Sequence, residues 1–382
     1  MSEPRRIQIS RPLLPDVDAM VDELREMLAS GQLTNGAQVR RFEQMVAEYL
    51  GGTHEVVAVS SNTTGMLLAW RALGVTGEVL LPAFTFPATA HVLAWNGLQP
   101  VLVDCDRETF NIDVADARRK ITDRTVGIAP VYIFGNPPEW DGIGALAAEH
   151  DLRSVADSAH AFGTRVGDRF AGTFADAEVF SLAPTKVLTT AEGGLVVTPH
   201  AELAERLRRM RNYGNPGDYN CRELGLNGRM TEVHALLGNH ALPDHERQLA
   251  GRNELAKRYR ERLSAVPGIG FQKIAPDVRS THNYFAILIE PETFGATNDA
   301  VQRFLLAQGV ESKIYFHPPI HEQTLYADLA VGAELPNTSW LCERILCLPI
   351  TAHLKEGDVD HITELVARAR NEAGTPAGGG AP

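Results

Sequence analysis

The chain has 382 residues, 44% of them hydrophobic, too long for one ordinary core and rich enough for two, so global disorder is excluded and two domains are expected. Its 36 Lys and Arg stand against 48 Asp and Glu, a formal net charge of −12. That is the wrong sign for a protein that works by neutralising phosphate backbones, and nucleic acid is excluded as a main partner.

Residues 1–15 form a broken apolar stretch interrupted by Arg11 and Pro15, which lacks the apolar core of a secretory signal. Residues 16–31 and 37–50 place apolar side chains at helical spacing (Val17, Met20, Leu24, Met27; then Val39, Phe42, Val46, Tyr49), with Thr34-Asn35-Gly36 as the break. Short apolar runs follow at 55–60, 78–81, 100–103, 126–133, 154–157, 178–181 and 195–198, most of them separated by enough chain for a helix. Continuous apolar strands alternating with helices predict an α/β domain on a mainly parallel sheet covered on both faces. The longest charge-free run, 79–103, is broken by Pro82, Pro87 and Pro100, so no membrane helix is predicted.

Arg206, Arg208 and Arg209 read as a solvated helix face rather than a phosphate-binding patch. Residues 230–262 predict a long, mostly polar helix, and αβ units follow at 284–290, 298–308, 311–314 and 359–370. The expected organisation is a large domain over 1–240, a smaller α/β domain over 241–373, and a disordered tail over 374–382. Cys105, Cys221, Cys342 and Cys347 lack any C-x-x-C spacing and are expected to be buried small residues in a reducing, cytoplasmic protein.

Nucleotide-cradling G-x-G-x-x-G and P-loop motifs are absent, as is H-E-x-x-H. Asp104-Cys105-Asp106-Arg107-Glu108 has a calcium-loop rhythm, but Thr109 stands where the sharp turn needs Gly, so an acidic strand-end loop is expected and no metal.

Three strand ends carry a different kind of polar group each, at the edge where open α/β sheets bind ligands. Ser60-Ser61-Asn62-Thr63-Thr64-Gly65 precedes an apolar helix and reads as a helix cap or an anion site. Asp157, in Asp157-Ser158-Ala159-His160, ends a buried strand, where a carboxylate calls for a cationic partner. Lys186 lies five residues past a third strand end, in an apolar turn that lowers an amine's pKa as Schiff-base chemistry requires. Alone, such a Lys is usually a surface residue and such an Asp a cap. Together, a phosphate cradle, a buried acid and a buried amine match the needs of pyridoxal 5′-phosphate.

Leu33-Thr34-Asn35-Gly36 with Phe42-Glu43, the segment 59–64, Pro82-Ala83-Phe84-Thr85-Phe86-Pro87-Ala88-Thr89, Asp157-Ser158-Ala159-His160, Pro184-Thr185-Lys186, Glu192-Gly193-Gly194, Asn227-Gly228-Arg229-Met230 and Leu348-Pro349-Ile350 occur in this order. In them the chain, from about Gln32 to about Arg370, resembles the DegT/StrS-type nucleotide-sugar aminotransferases, which are fold type I pyridoxal phosphate (PLP) enzymes. The resemblance implies that Lys186 bonds the cofactor aldehyde and then moves the proton, that Asp157 pairs with the pyridinium nitrogen, and that His160 sits near the ring hydroxyl. It also implies that Thr63, Thr64 and Ser181 hold the phosphate and that Phe86 stacks on the ring. Asn227 would reach the phosphate in the neighbouring subunit of a homodimer with interfacial sites, with Arg229 beside it for the donor carboxylate.

Two departures stand out: Asn62 occupies a position where the family usually has Gly, and Leu182-Ala183 replace the usual aromatic residues before Pro-Thr-Lys. Lys186 places the chain with the transaminating members, which cycle through pyridoxamine phosphate, rather than those with His at this position. Asn283-Tyr284, Gly309-Val310-Glu311 and the segment 315–322 look most like desosamine-type 4-aminotransferases. They imply L-glutamate as donor and a dTDP-4-keto-6-deoxyhexose as acceptor, in deoxyaminosugar biosynthesis, with Tyr315, His317 and His321 near the sugar or its diphosphate, or else simply packing a loop. C3-acting members share nearly all these motifs, so a 3-keto sugar or an aminocyclitol stays open as the acceptor. A PLP-dependent dehydratase or lyase, or a non-catalytic relative, would keep the same fold.

Overall fold

The computed structural model describes residues 6–330 and 332–372; the tail expected to be disordered lies outside them. The strands are β1 (Glu55–Val59), β2 (Glu78–Pro82), β3 (Gln99–Val103), β4 (Thr125–Ile128), β5 (Arg153–Asp157), the two-residue β6 (Arg165–Val166) and β7 (Arg169–Phe170), β8 (Ala177–Ser181), β9 (Gly194–Thr198), β10 (Ile269–Phe271), β11 (Val278–Arg279), β12 (Phe285–Ile289) and β13 (Ile345–Leu348). Seven of them form the main sheet in the order β1-β9-β8-β5-β4-β2-β3. All adjacent pairs from β8 to β3 are parallel, and only β9 runs against its neighbours, β1 and β8.

Each of these seven strands lies on one of the apolar runs, and β2, β8 and β9 are buried at every position. The reason is cover on both faces. Alternation along the strands sends Val57, Val59, Val155, Val179 and Val196 to one side, against Met66, Leu68 and Trp70 of the helix Asn62–Leu73, and Ala58, Ala156, Phe180, Leu195 and Val197 to the other. That second side is closed by Val39, Phe42 and Val46. The helices concerned are α1 (Val21–Ser30), α2 (Ala37–Tyr49), α3 (Asn62–Leu73) and α4 (Ala88–Trp95). Glu232 fixes the start of α2, accepting the N–H groups of Gly36 (2.7 Å), Gln38 (2.9 Å) and Val39 (3.1 Å). A Cβ on Gly36 would lie 2.6 Å from that carboxylate, which accounts for the glycine in Leu33-Thr34-Asn35-Gly36.

Several elements differ from expectation. The run at 126–133 stops being a strand at Ile128, because Pro130 has no N–H for the ladder; the chain then turns through the 3₁₀ segment Ile133–Gly135. The helix expected over 230–262 is two helices, Glu232–Ala241 and His245–Leu263, parted by a 3₁₀ turn holding Pro243. Residues 311–314 form no regular strand: only Lys313 pairs with Cys347, in an isolated antiparallel bridge on the outer side of β13, a strand the sequence reading missed. Cys221 is exposed on a loop while the other three cysteines are buried. Arg206 and Arg209 converge on Glu223, and Arg208 on Glu55, so their charges are spent in ion pairs.

A second core packs Tyr259 and Leu263 with Phe285, Ile287, Leu346 and Leu348, under the helices Asn298–Ala307 and Glu356–Glu372. The segment carrying Ile320, Tyr326 and Leu335 instead joins the core of the main sheet. Asp104 anchors it by accepting from Asn337 N (2.9 Å) and from Thr338 N and Oγ1 (both 2.7 Å). The acidic loop is thus filled by backbone and hydroxyl donors. No helix among the described residues is long and apolar enough to cross a membrane.

Candidate active site

A cavity of about 370 Å³ opens at the carboxyl edge of the main sheet, and all three predicted strand ends line it. From β1 comes the start of α3, where Ser61 is the N-cap and its Oγ accepts from Thr64 N at 3.1 Å. Thr63 faces the cavity. Thr64 does not line it, because its hydroxyl is held by Ser60 and Ser61, both at 3.0 Å. A Cβ on Gly194 would fall 2.4–2.6 Å from the backbone of Ser61 and Asn62, so glycine is what lets β9 pass directly under this helix start.

From β5 comes Asp157, its Oδ2 bonded by Thr89 Oγ1 (2.8 Å) and its Oδ1 by Ala159 N (3.1 Å) and Asn62 Nδ2 (3.2 Å). Burial pushes the carboxyl up, while Thr89, Ala159, the Lys186 ammonium and Asn62 work to hold it down. The cationic partner expected for Asp157 is therefore Lys186, supplemented by three neutral donors. Burial lowers the Lys186 amine to about 8, against the opposing pull of Asp157. Burial, reinforced by Lys186, also keeps His160 well below the usual imidazole range, so its ring is neutral.

His160 is packed parallel to Phe316 (7°, centroids 6.5 Å) and edge-on to Tyr284, whose ring lies 5.0 Å from that of Tyr315. Phe86, 60% exposed, stands on the wall with its ring free, and Ser181 also lines the cavity.

Besides Thr64, four predicted residues are elsewhere. His317 is exposed and outside the cavity. His321 is turned toward the helix Pro336–Cys342, 3.4 Å from Ser339 Oγ, in a separate hollow, because Ile320 beside it is fully buried in the main core. Asn227 and Arg229 also stay out of this chain's cavity. Asn227 is exposed, while Arg229 pairs with Val59, donates to Asn212 Oδ1 (2.6 Å) and lies over the Tyr213 ring.

The sequence reading assigned no role to Thr89, Asn62, Thr185, Tyr132, Tyr284, Glu192 or Phe316, yet all of these bond Asp157 or line the cavity. Thr89 carried the one usable signal, a hydroxyl three residues past Phe86.

The pattern of the DegT/DnrJ/EryC1/StrS aminotransferase family matches residues 16–367. The chain belongs to this family. It is 32% identical to a dTDP-4-amino-4,6-dideoxy-D-glucose transaminase of Shigella dysenteriae, over 94% of this chain and 98% of that one. It is 34% identical to a UDP-N-acetyl-3-dehydro-α-D-glucosamine 3-aminotransferase of Acidithiobacillus ferrooxidans, over 92% and 94%. The crystal structure of DesI in the presence of its TDP-sugar product superposes with a TM-score of 0.90 at 35% identity, covering 96% of this chain and 94% of that one.

Like other DegT/DnrJ/EryC1/StrS members, the chain is a PLP-dependent aminotransferase. The cavity fits that cofactor: it offers a buried amine lowered to about 8, a buried acid, an uncharged imidazole and a helix start capped by Ser61. One prediction follows for the cofactor-free protein. Only the neutral amine attacks an aldehyde, so the rate at which added PLP becomes attached should rise with pH and level off above a midpoint near 8. Stopped-flow absorbance checks this; a midpoint near 10, that of a free lysine, would show that burial does not act on Lys186.

Proposed function

We propose that the chain moves the amino group of L-glutamate to the ketone of a dTDP-linked 4-keto-6-deoxyhexose, in a homodimer with interfacial sites. The observation that carries the chemistry is the buried Lys186 amine beside Asp157 in one cavity. Support for the acceptor is the likeness to the Shigella transaminase and to DesI. Bound PLP supplies an electron sink for the donor's α-carbon.

The chain's own groups do the rest. Lys186 would hold the aldehyde through its amine and, once freed by the donor, would take the proton from the donor's α-carbon and return one to the sugar carbon, so the face it occupies would set the stereochemistry. Asp157 would keep the ring nitrogen protonated, and His160 would serve the ring hydroxyl. Phe86 would cover the ring and Thr63 and Ser181 would hold the phosphate, with Thr64 stiffening that cradle through Ser60 and Ser61. Tyr315 faces the sugar. Asn227 and Arg229, set on the β1 side and outside their own cavity, serve the neighbouring subunit's phosphate and donor carboxylate.

A second reading, a 3-keto sugar as acceptor, is favoured by the identity to the Acidithiobacillus enzyme. Assay of dTDP-4-keto, dTDP-3-keto and UDP-linked 3-keto sugars with glutamate decides between them. The proposal expects the highest kcat/KM with the dTDP-4-keto sugar and no product without glutamate. A higher value with a 3-keto sugar would replace it with the second reading.

A further inference from the structure

We propose that Asn62 is a positioning residue that locks the cofactor's acid, Asp157, to the phosphate cradle and holds its carboxylate in place for the ring nitrogen. Asn62 is the first residue of α3 and is 8% exposed. Both hydrogens of its amide are used: Nδ2 donates to Asp157 Oδ1 at 3.2 Å and to Val179 O at 2.7 Å. Asp157 and Val179 are direct partners across β5 and β8. One side chain therefore ties the helix start that caps the phosphate end to the strand pair that carries the acid.

The other two donors to Asp157 do not provide this tie. Ala159 N belongs to Asp157's own loop, and Thr89 comes from α4, on the opposite side of the carboxylate at Oδ2. A glycine or alanine at position 62 could not make this bond. Folding does not require it. Val179 O also accepts Ser158 N at 3.0 Å, and Asp157 Oδ1 keeps Ala159 N, so removing the amide leaves neither acceptor bare. What is lost is orientation of the carboxylate and one hydrogen bond to its charged form, worth about tenfold in an equilibrium at the low end of the range for charged pairs.

This inference rests on the role proposed above for Asp157, and the test separates the two. The full chain, freed of cofactor, is titrated with 4-deoxypyridoxine 5-phosphate, which has the ring nitrogen and phosphate but no aldehyde, so Lys186 cannot bond it. Affinity and the ultraviolet band of the protonated ring are read together with the melting temperature. Asn62→Ala and Asn62→Gly should each bind the analogue about tenfold more weakly and show a smaller protonated-ring band at pH 7, with the melting temperature lowered by no more than a few degrees. Asp157→Ala should lose the band altogether. If Asp157→Ala keeps the band, the role of Asp157 fails. If Asp157→Ala loses it while both Asn62 variants match the unaltered chain in affinity and band, the positioning role of Asn62 is overturned.

Discussion

Lys186→Ala is expected to abolish transamination, lowering kcat by about 10⁴-fold or more, because one group serves as both the covalent anchor and the proton carrier. Intact-mass analysis after borohydride treatment should find the cofactor's mass on the unaltered chain and none on the variant. Lys186→Arg should fail equally, since a guanidinium stays charged where a neutral amine is needed. The fold should tolerate both changes. The turn is held by Lys186 N to Ala183 O (2.9 Å), a backbone bond that survives, and Asp157, left without the ammonium in Lys186→Ala, keeps its donors Thr89, Ala159 and Asn62 while burial favours its protonated form. A Lys186→Ala protein that folds normally yet turns over within tenfold of the unaltered chain would remove Lys186 from the chemistry.

Asp157→Asn is expected to lower kcat by about 10²–10³-fold, the scale seen when one preorganised electrostatic partner is removed. Asparagine matches the shape but not the hydrogen-bond pattern. Its carbonyl can accept from Thr89 on one side, leaving its own N–H₂ facing the N–H donors of Asn62 and Ala159 on the other. Loss of the charge also removes the pull that raises the Lys186 amine. Burial then acts on it alone, and the pH midpoint for cofactor attachment should move from about 8 to a lower value. The sign is the test: a midpoint that rises in Asp157→Asn would mean that the two groups are not electrostatically joined.

The strand ends were readable because their signals are local. Parallel strands buried on both faces announce themselves as apolar runs, and the residue after each run falls at the carboxyl edge whatever the order of strands in the sheet. Lys186, Asp157 and the α3 start could be placed together on that ground, and the comparisons then fixed the family. What was not readable depended on contacts between distant segments. Asn62 looked like a departure from a motif, and only the meeting of α3 with β5 and β8 gives it work to do. His317 and His321 looked equivalent to Tyr315, but burial of Ile320 turns the chain away after Phe316. The direction of β9 was equally invisible, since an apolar run reads the same both ways.

The place of β1 at the sheet edge has a consequence for biosynthesis. Among the described residues its only strand partner is β9, Val59 adding a single bridge to the still later Arg229, so Glu55–Val59 emerges from the ribosome with nothing to pair with until Gly194–Thr198 has been made. At ordinary translation rates, roughly 5–20 residues per second, that wait is on the order of ten seconds. During it an apolar strand and the helix start behind it stand unprotected, open to wrong pairing. The cofactor cradle at Ser61 is then among the last parts of the sheet to acquire its support. Yield of soluble chain should therefore depend on conditions that slow misassociation of nascent chains, such as low temperature or abundant chaperone, more than on cofactor supplied during synthesis.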